Sequence, residues 1–199
     1  MRELLIATGN KGKLREILDA LGEIPFKVRN LSDISSEVGV EVEEAGATFE
    51  QNAILKARTY AERSRMLTLA EDSGLEVDAL GGKPGVLTAR YAPGSDEDRY
   101  RKLLGEMKSV PEGKRAARFV AVVAVFDPES GKLRTCEGEY RGRIMLEPKG
   151  SGGFGYDPVF YSDELKKRGA EMSVGEKNTV SHRGRAIAKA RDILLTEFA

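Results

Sequence analysis

The spacing of apolar residues changes several times along the chain, and each change predicts an element. Leu4-Leu5-Ile6-Ala7 is a short apolar run within Glu3–Ala7, stopped by Thr8-Gly9-Asn10. Leu14, Ile17, Leu18 and Leu21 then recur at helical spacing over Lys13–Leu21, ending at Gly22. The opening therefore predicts strand, polar turn, helix. A segment without clear periodicity follows. Thr48-Phe49-Glu50-Gln51 has the order of a capping box, and Phe49, Ala53 and Ala57 share one face of the helix it would start. Met66–Ala70 predicts a strand that ends on Glu71-Asp72-Ser73-Gly74, and Gly81-Gly82-Lys83-Pro84-Gly85 predicts a turn. Ser95 is placed to cap a helix running to about Met107. Phe119–Phe126 is a Val/Ala run, the best buried strand of the chain, which Asp127-Pro128-Glu129-Ser130-Gly131 turns into a second strand near Leu133–Tyr140. Gly150–Pro158 reads as a glycine-rich loop. Ser181 then caps a final amphipathic helix through Ala186, Ile187, Ala190, Ile193 and Leu194. With no repeat, low-complexity tract or linker, the pattern predicts a mixed α/β fold.

Composition narrows the function. The 199 residues suffice for one domain, or two closely packed lobes. Lys plus Arg equals Asp plus Glu at 32 each, so no overall field attracts a polyanion, and a nucleic-acid-binding module is disfavoured. Any bound anion must be held by a local cluster. The apolar stretch after Met1-Arg2-Glu3 is too short for a signal peptide, and no run approaches the roughly 20 apolar residues of a membrane span. One cysteine, Cys136, cannot form an intramolecular disulfide, and with a single histidine it cannot build a structural zinc site. A cytoplasmic protein is the expectation.

Five places could carry chemistry. Thr8-Gly9-Asn10-Lys11-Gly12-Lys13 places small and polar residues where a strand gives way to a helix start. Free backbone amides and the positive end of the helix dipole suit phosphate there, and Lys13 adds a full charge. The same residues also fit an Asn-capped helix with solvated lysines, and no P-loop is present. Glu71-Asp72 and Glu43-Glu44 supply carboxylates from separate segments, the hard oxygen donors that Mg²⁺ takes together with waters and phosphates, though acidic loops facing solvent look alike. Asn52 and Lys56 project from one side of the helix begun at Thr48. Ser151-Gly152-Gly153-Phe154-Gly155-Tyr156-Asp157-Pro158 combines backbone access, aromatic faces and an acceptor, which suits a flat heterocycle; a glycine-proline hairpin with its rings in the core is the alternative. Lys177, His182 and Arg183 bring cations to the start of the last helix, against its dipole, as if an anionic ligand compensates them.

Together these segments resemble the inosine triphosphate pyrophosphatase family. The resemblance runs in order through Ala7-Thr8-Gly9-Asn10, Glu43-Glu44, Thr48-Phe49, Asn52-Ala53, Asp72-Ser73-Gly74-Leu75, Ala89-Arg90-Tyr91, Gly153 to Pro158, Glu176-Lys177 and Ser181-His182-Arg183-Gly184, covering nearly the whole chain. It implies one domain with an elongated mixed sheet flanked by helices, two lobes with the site in the cleft between them, and a homodimer. By position, Thr8, Gly9, Asn10, Lys11, Gly12 and Lys13 would cradle the triphosphate and Lys56 would reach phosphate. Glu44 and Asp72 would hold Mg²⁺, with Asp72 also accepting the water proton and Ser73 beside the substrate. Phe154, Gly155, Tyr156, Asp157, Lys177, His182 and Arg183 would frame the purine and sugar. One departure is Glu71, where many bacterial members carry a second aspartate.

The activity so implied is Mg²⁺-dependent hydrolysis of ITP, dITP and XTP to monophosphate and diphosphate. A non-catalytic purine nucleotide sensor would share the cradle and pocket, but gains little from carboxylates at Glu44 and Asp72. A Nudix hydrolase would need a glycine-and-glutamate helix motif that is absent.

Overall fold

The computed structural model describes residues 1–35 and 40–199; residues 36–39, part of the segment read as lacking periodicity, lie outside the described residues. Among the described residues a six-stranded sheet has the order β2-β1-β3-β4-β5-β6. Its strands are β1 (Arg2–Ile6), β2 (Phe26–Asn30), β3 (Leu67–Val77), β4 (Ala116–Phe126), β5 (Leu133–Ile144) and β6 (Phe160–Ser162). The helices are α1 (Lys11–Leu21), α2 (Phe49–Ser64), α3 (Asp96–Glu106), α4 (Val174–Val180) and α5 (His182–Glu197). β1 lies parallel to both β2 and β3, each reached through a helix, whereas β3, β4, β5 and β6 pair antiparallel. The expected mixed α/β sheet flanked by helices is what the chain forms.

Strand alternation sorts the core. On β1, Leu4 and Ile6 face α1 and α5, meeting Ile17, Leu21, Ile187 and Leu194, while Leu5 and Ala7 face α2, meeting Phe49, Ala53 and Ala57. β4 divides the same way, Val123 and Val125 to one face and Val122 and Ala124 to the other. A third apolar cluster joins Leu75 and Val77 to α3 through Leu103 and Met107, and to Tyr140, Tyr156 and Phe160. The central strands are covered on both faces, so their near-continuous apolar runs follow from burial.

Two expectations change. The strand from Met66 does not end on the acidic residues: β3 continues to Val77, with Glu71 opposite Val123 and Asp72 opposite Val122. Charged residues hold a central strand position here because each finds partners on its own face. β2, β6 and the seven-residue α4 carry too little periodicity to be read in advance. Thr48 does cap α2, its side chain accepting from Gln51 N, but Gln51 Oε1 accepts from Ala47 N (2.8 Å) rather than closing the box on Thr48. Among the described residues no helix is long and apolar enough to cross a membrane.

Candidate active site

The site forms where β1 gives way to α1 and where β3 passes between α2 and α5. Asn10 caps α1, its Oδ1 accepting from Lys13 N at 2.9 Å, and Thr8 Oγ1 accepts from Asn10 N at 3.3 Å. The first turn thus presents backbone amides that have no partner inside the helix. Lys11 and Gly9 are exposed at this end, while Asn10 and Lys13 line a cleft. A Cβ at Gly12 would come within 2.9 Å of Phe154 Cδ1, so only the smallest residue lets the Phe154 loop lie against this helix start.

Glu71 and Asp72 are adjacent in sequence and turn to opposite faces of β3. On the α5 face, the fully buried Glu71 accepts from Arg183 Nη2 at 3.0 Å, and Lys13 Nζ lies 3.4 Å away. Ser73 Oγ, on the same face, is 3.1 Å from Arg183 Nη2. Arg183 also pairs with Glu16 of α1, and Glu16 accepts from Lys177 Nζ at 2.8 Å. Lys177 reaches Asp157 Oδ2 at 2.7 Å. Asp157, Lys177, Glu16, Arg183, Glu71 and Lys13 therefore form a buried series of alternating sign. Burial alone would raise the Glu71 carboxyl, but Arg183 and Lys13 outweigh it and hold it well below the usual carboxylate range. Burial lowers the Lys13 ammonium, with Glu71 opposing. The cations at the start of α5 are thus compensated by Glu16 and Glu71; the expectation that a ligand is needed to balance them is corrected.

The α2 face is looser. Asp72 accepts from Asn52 Nδ2 at 3.1 Å and from Lys56 Nζ at 3.0 Å, and the same ammonium lies 2.5 Å from Glu44 Oε1. Arg90 steadies this arrangement, its Nη2 donating to the Glu44 carbonyl at 3.1 Å. Burial raises the Asp72 carboxyl above its ordinary value; Lys56 opposes, and Glu44 adds to the rise. Glu44 itself is held low: burial raises it, but Lys56 prevails. Glu43 is exposed. Glu44 and Asp72 thus converge on one cation from two segments. Among the described residues no group of three or more His, Cys, Asp or Glu side chains gathers as a metal cage. Two carboxylates fit a small hard cation that takes its remaining ligands from water and phosphate.

At the far end of the cleft, Gly153 and Gly155 adopt φ of 70° and 63°, which lets the Phe154 loop turn tightly. Phe154 N donates to Asp157 Oδ2 at 2.9 Å, Gly155 N to Asp96 Oδ2 at 2.6 Å, and Tyr156 Oη to the Thr88 carbonyl at 3.1 Å. The Tyr156 ring belongs to the third core cluster, so its role in the loop is chiefly packing. Lys177 Nζ lies 4.9 Å from the Phe154 ring centroid, a cation–π contact. His182 stacks on Phe119, with ring centroids 4.8 Å apart and planes 15° apart, and its Nδ1 has no hydrogen-bond partner. Burial, reinforced by Arg183, keeps its pKa well below 6.5, so the imidazole is neutral.

Of the residues singled out in sequence, Asn10, Lys13, Ser73, Phe154, Gly155, Tyr156, Asp157, Lys177, His182 and Arg183 line one cleft. Thr8, Gly9, Lys11 and Gly12 flank the lining residues Asn10 and Lys13 in the chain without lining the cleft themselves, and Lys56 bridges Glu44 and Asp72 beside Ser73. Sequence reasoning missed Glu16, Asp96 and Arg99. Glu16 looks like a solvent-facing charge on α1, and its partners lie more than 160 residues away.

A family model described as the Ham1 family matches residues 4–193. A dITP/XTP pyrophosphatase of Geobacter sulfurreducens is 48% identical, covering 98% of this chain and 97% of its own. One of Symbiobacterium thermophilum is 47% identical, covering 97% and 95%. Among solved structures, a HAM1 protein from Coxiella burnetii superposes with a TM-score of 0.86 at 37% identity, covering 98% of both chains. The Ham1 protein of Staphylococcus aureus gives 0.83 at 37% identity, covering 97% and 98%. The chain belongs to the Ham1 family.

Proposed function

We propose that the cleft binds a non-standard purine nucleoside triphosphate, with its phosphates on Asn10–Lys13 and its base against Phe154–Asp157, and that water attacks the α-phosphorus beside Asp72. The chain is a nucleoside-triphosphate pyrophosphatase acting on substrates such as dITP, ITP and XTP, as the names of its relatives support. The observation that carries the pose is one continuous cleft joining the α1 amides and Lys13 to the Phe154 loop, with Glu44, Lys56 and Asp72 alongside.

Asp72, its basicity raised by burial, accepts the proton of the attacking water while Asn52 fixes the carboxylate's orientation. Lys13 and Lys56 stabilise charge on the β- and γ-phosphates, which makes diphosphate the leaving group. Mg²⁺ would be held by Glu44 and Asp72 and would neutralise phosphate oxygens when bound. Base choice follows from donors left over. Arg183 Nε has no partner, and Lys177 spends two of its three N–H groups on Glu16 and Asp157. A 6-keto oxygen accepts from such groups, whereas adenine's amino group leaves them unsatisfied, a difference of up to roughly 10⁴ in selectivity. The family resemblance extends the reading to a homodimeric cytoplasmic enzyme built as a single two-lobed domain.

Turnover of ITP with Mg²⁺ in water labelled with heavy oxygen tests this. The label is expected in IMP, with diphosphate released in one step. Label in diphosphate, or accumulating IDP, would place the attack at another phosphorus and overturn the mechanism.

A further inference from the structure

Helix α3 begins with a complete cap that does not use its first residue. Ser95 Oγ accepts from Asp98 N at 3.2 Å, and Asp98 Oδ2 accepts from Ser95 N at 2.7 Å. Ser95 and Asp98 therefore meet the needs of the helix end. The Asp96 carboxylate is free to turn elsewhere: Oδ2 accepts from Gly155 N at 2.6 Å, across 59 residues, and Oδ1 pairs with Arg99. Arg99 is steadied in turn by the Gly94 carbonyl at 3.2 Å, and both Asp96 and Arg99 line the cleft.

The contact matters because of which amide it holds. Phe154 lies between two peptide N–H groups, its own and that of Gly155. The first is bound by Asp157 from within the loop, the second by Asp96 from a different element. Charge-assisted bonds on both flanking peptides fix the backbone of Phe154 and so the direction of its ring. Gly155, at φ 63°, is at ease in a left-handed conformation but has many others open to it, and the bond from Asp96 selects this one.

We propose that Asp96 is a positioning residue of the base site: it acts through the Gly155 amide to hold Phe154 against the purine. The inference rests on the reading that Phe154 faces the base, and a double-mutant cycle separates the two. With ITP and Mg²⁺, Asp96→Ala is expected to raise KM about tenfold with kcat within about twofold, in keeping with the loss of one charge-assisted hydrogen bond. Asp96→Asn keeps an acceptor oxygen and should stay within about threefold of the wild-type KM. Asp96→Ser leaves the Ser95–Asp98 cap intact but is too short to reach Gly155; it should match Asp96→Ala and serves if that variant folds poorly. Phe154→Ala should raise KM by itself, and adding Asp96→Ala to it should cost no more than about a further twofold. Fully additive effects, or an unchanged KM in both Asp96→Ala and Asp96→Ser, would overturn the tether while leaving the base reading intact. An unchanged KM in Phe154→Ala would overturn the base reading and the tether with it.

Discussion

Glu71 and Asp72 share a strand, a burial depth and a charge, yet the two faces of β3 treat them oppositely. On the α5 face, Glu71 meets an arginine and a lysine that approach from separate helices, and its proton affinity falls. On the α2 face, Asp72 shares one lysine with a second carboxylate, and its proton affinity rises. A carboxylate over-supplied with fixed cations is a counter-charge. One that competes for a single flexible cation keeps basicity for chemistry. The alternation of a β-strand is enough to give neighbouring residues these different duties.

The sharpest way to break this contrast is to neutralise each residue in turn. On the mechanism proposed above, Asp72→Asn removes a proton acceptor and a negative ligand together and should lower kcat for ITP by at least about a hundredfold, while circular dichroism stays native. Near-normal turnover in a folded variant would show that Asp72 is not the reactive member. Glu71→Gln should act chiefly on stability. Leaving Arg183 and Lys13 under-compensated in the interior costs about 3 kcal/mol, or a fall in Tm of about 10 °C for a chain of this size. Thermal unfolding followed by calorimetry measures it, and an unchanged Tm would mean that the pairs around Glu71 do not hold the fold.

A smaller effect comes from His182 on the Glu71 face. Its folded pKa lies well below 6.5, so between that value and the unfolded one the unfolded chain binds more protons. Its contribution to stability is therefore complete above about pH 7 and is lost as the pH falls below about 6.5, by up to roughly 1.4 kcal/mol per pH unit. Plotted from pH 7 to 5, the Tm of His182→Gln should fall less steeply than that of the wild type. Parallel slopes would mean that the imidazole charges freely in the folded protein.

What the sequence disclosed divides along the range of the interactions involved. The caps at Asn10, Thr48, Ser95 and Ser181 depend on residues three positions away, and all four are present. The β4–β5 hairpin was equally visible, because the Asp127–Gly131 turn joins two strongly patterned strands. β3 was cut short because three polar residues in a row resemble a strand end, and nothing nearby shows that Lys13, Lys56 and Arg183 arrive to neutralise them. Most of the residues named through their joint resemblance to a family gather around one cleft, whereas Glu16 and Asp96 were not legible in advance. Each looks like an ordinary surface charge until the fold supplies its partner, Arg183 in one case and the Gly155 amide in the other.

The buried series from Asp157 to Lys13 also bears on how such a site can change over generations. Because each member balances the next, a lone exchange at Glu16 or Lys177 leaves an orphaned charge in the interior, and most carriers of it would be lost before any new selectivity was tried. Paired exchanges that remove both charges at two neighbouring links keep the sum at zero and leave the remaining pairs opposite in sign. Libraries meant to alter this cleft should therefore randomise adjoining links together.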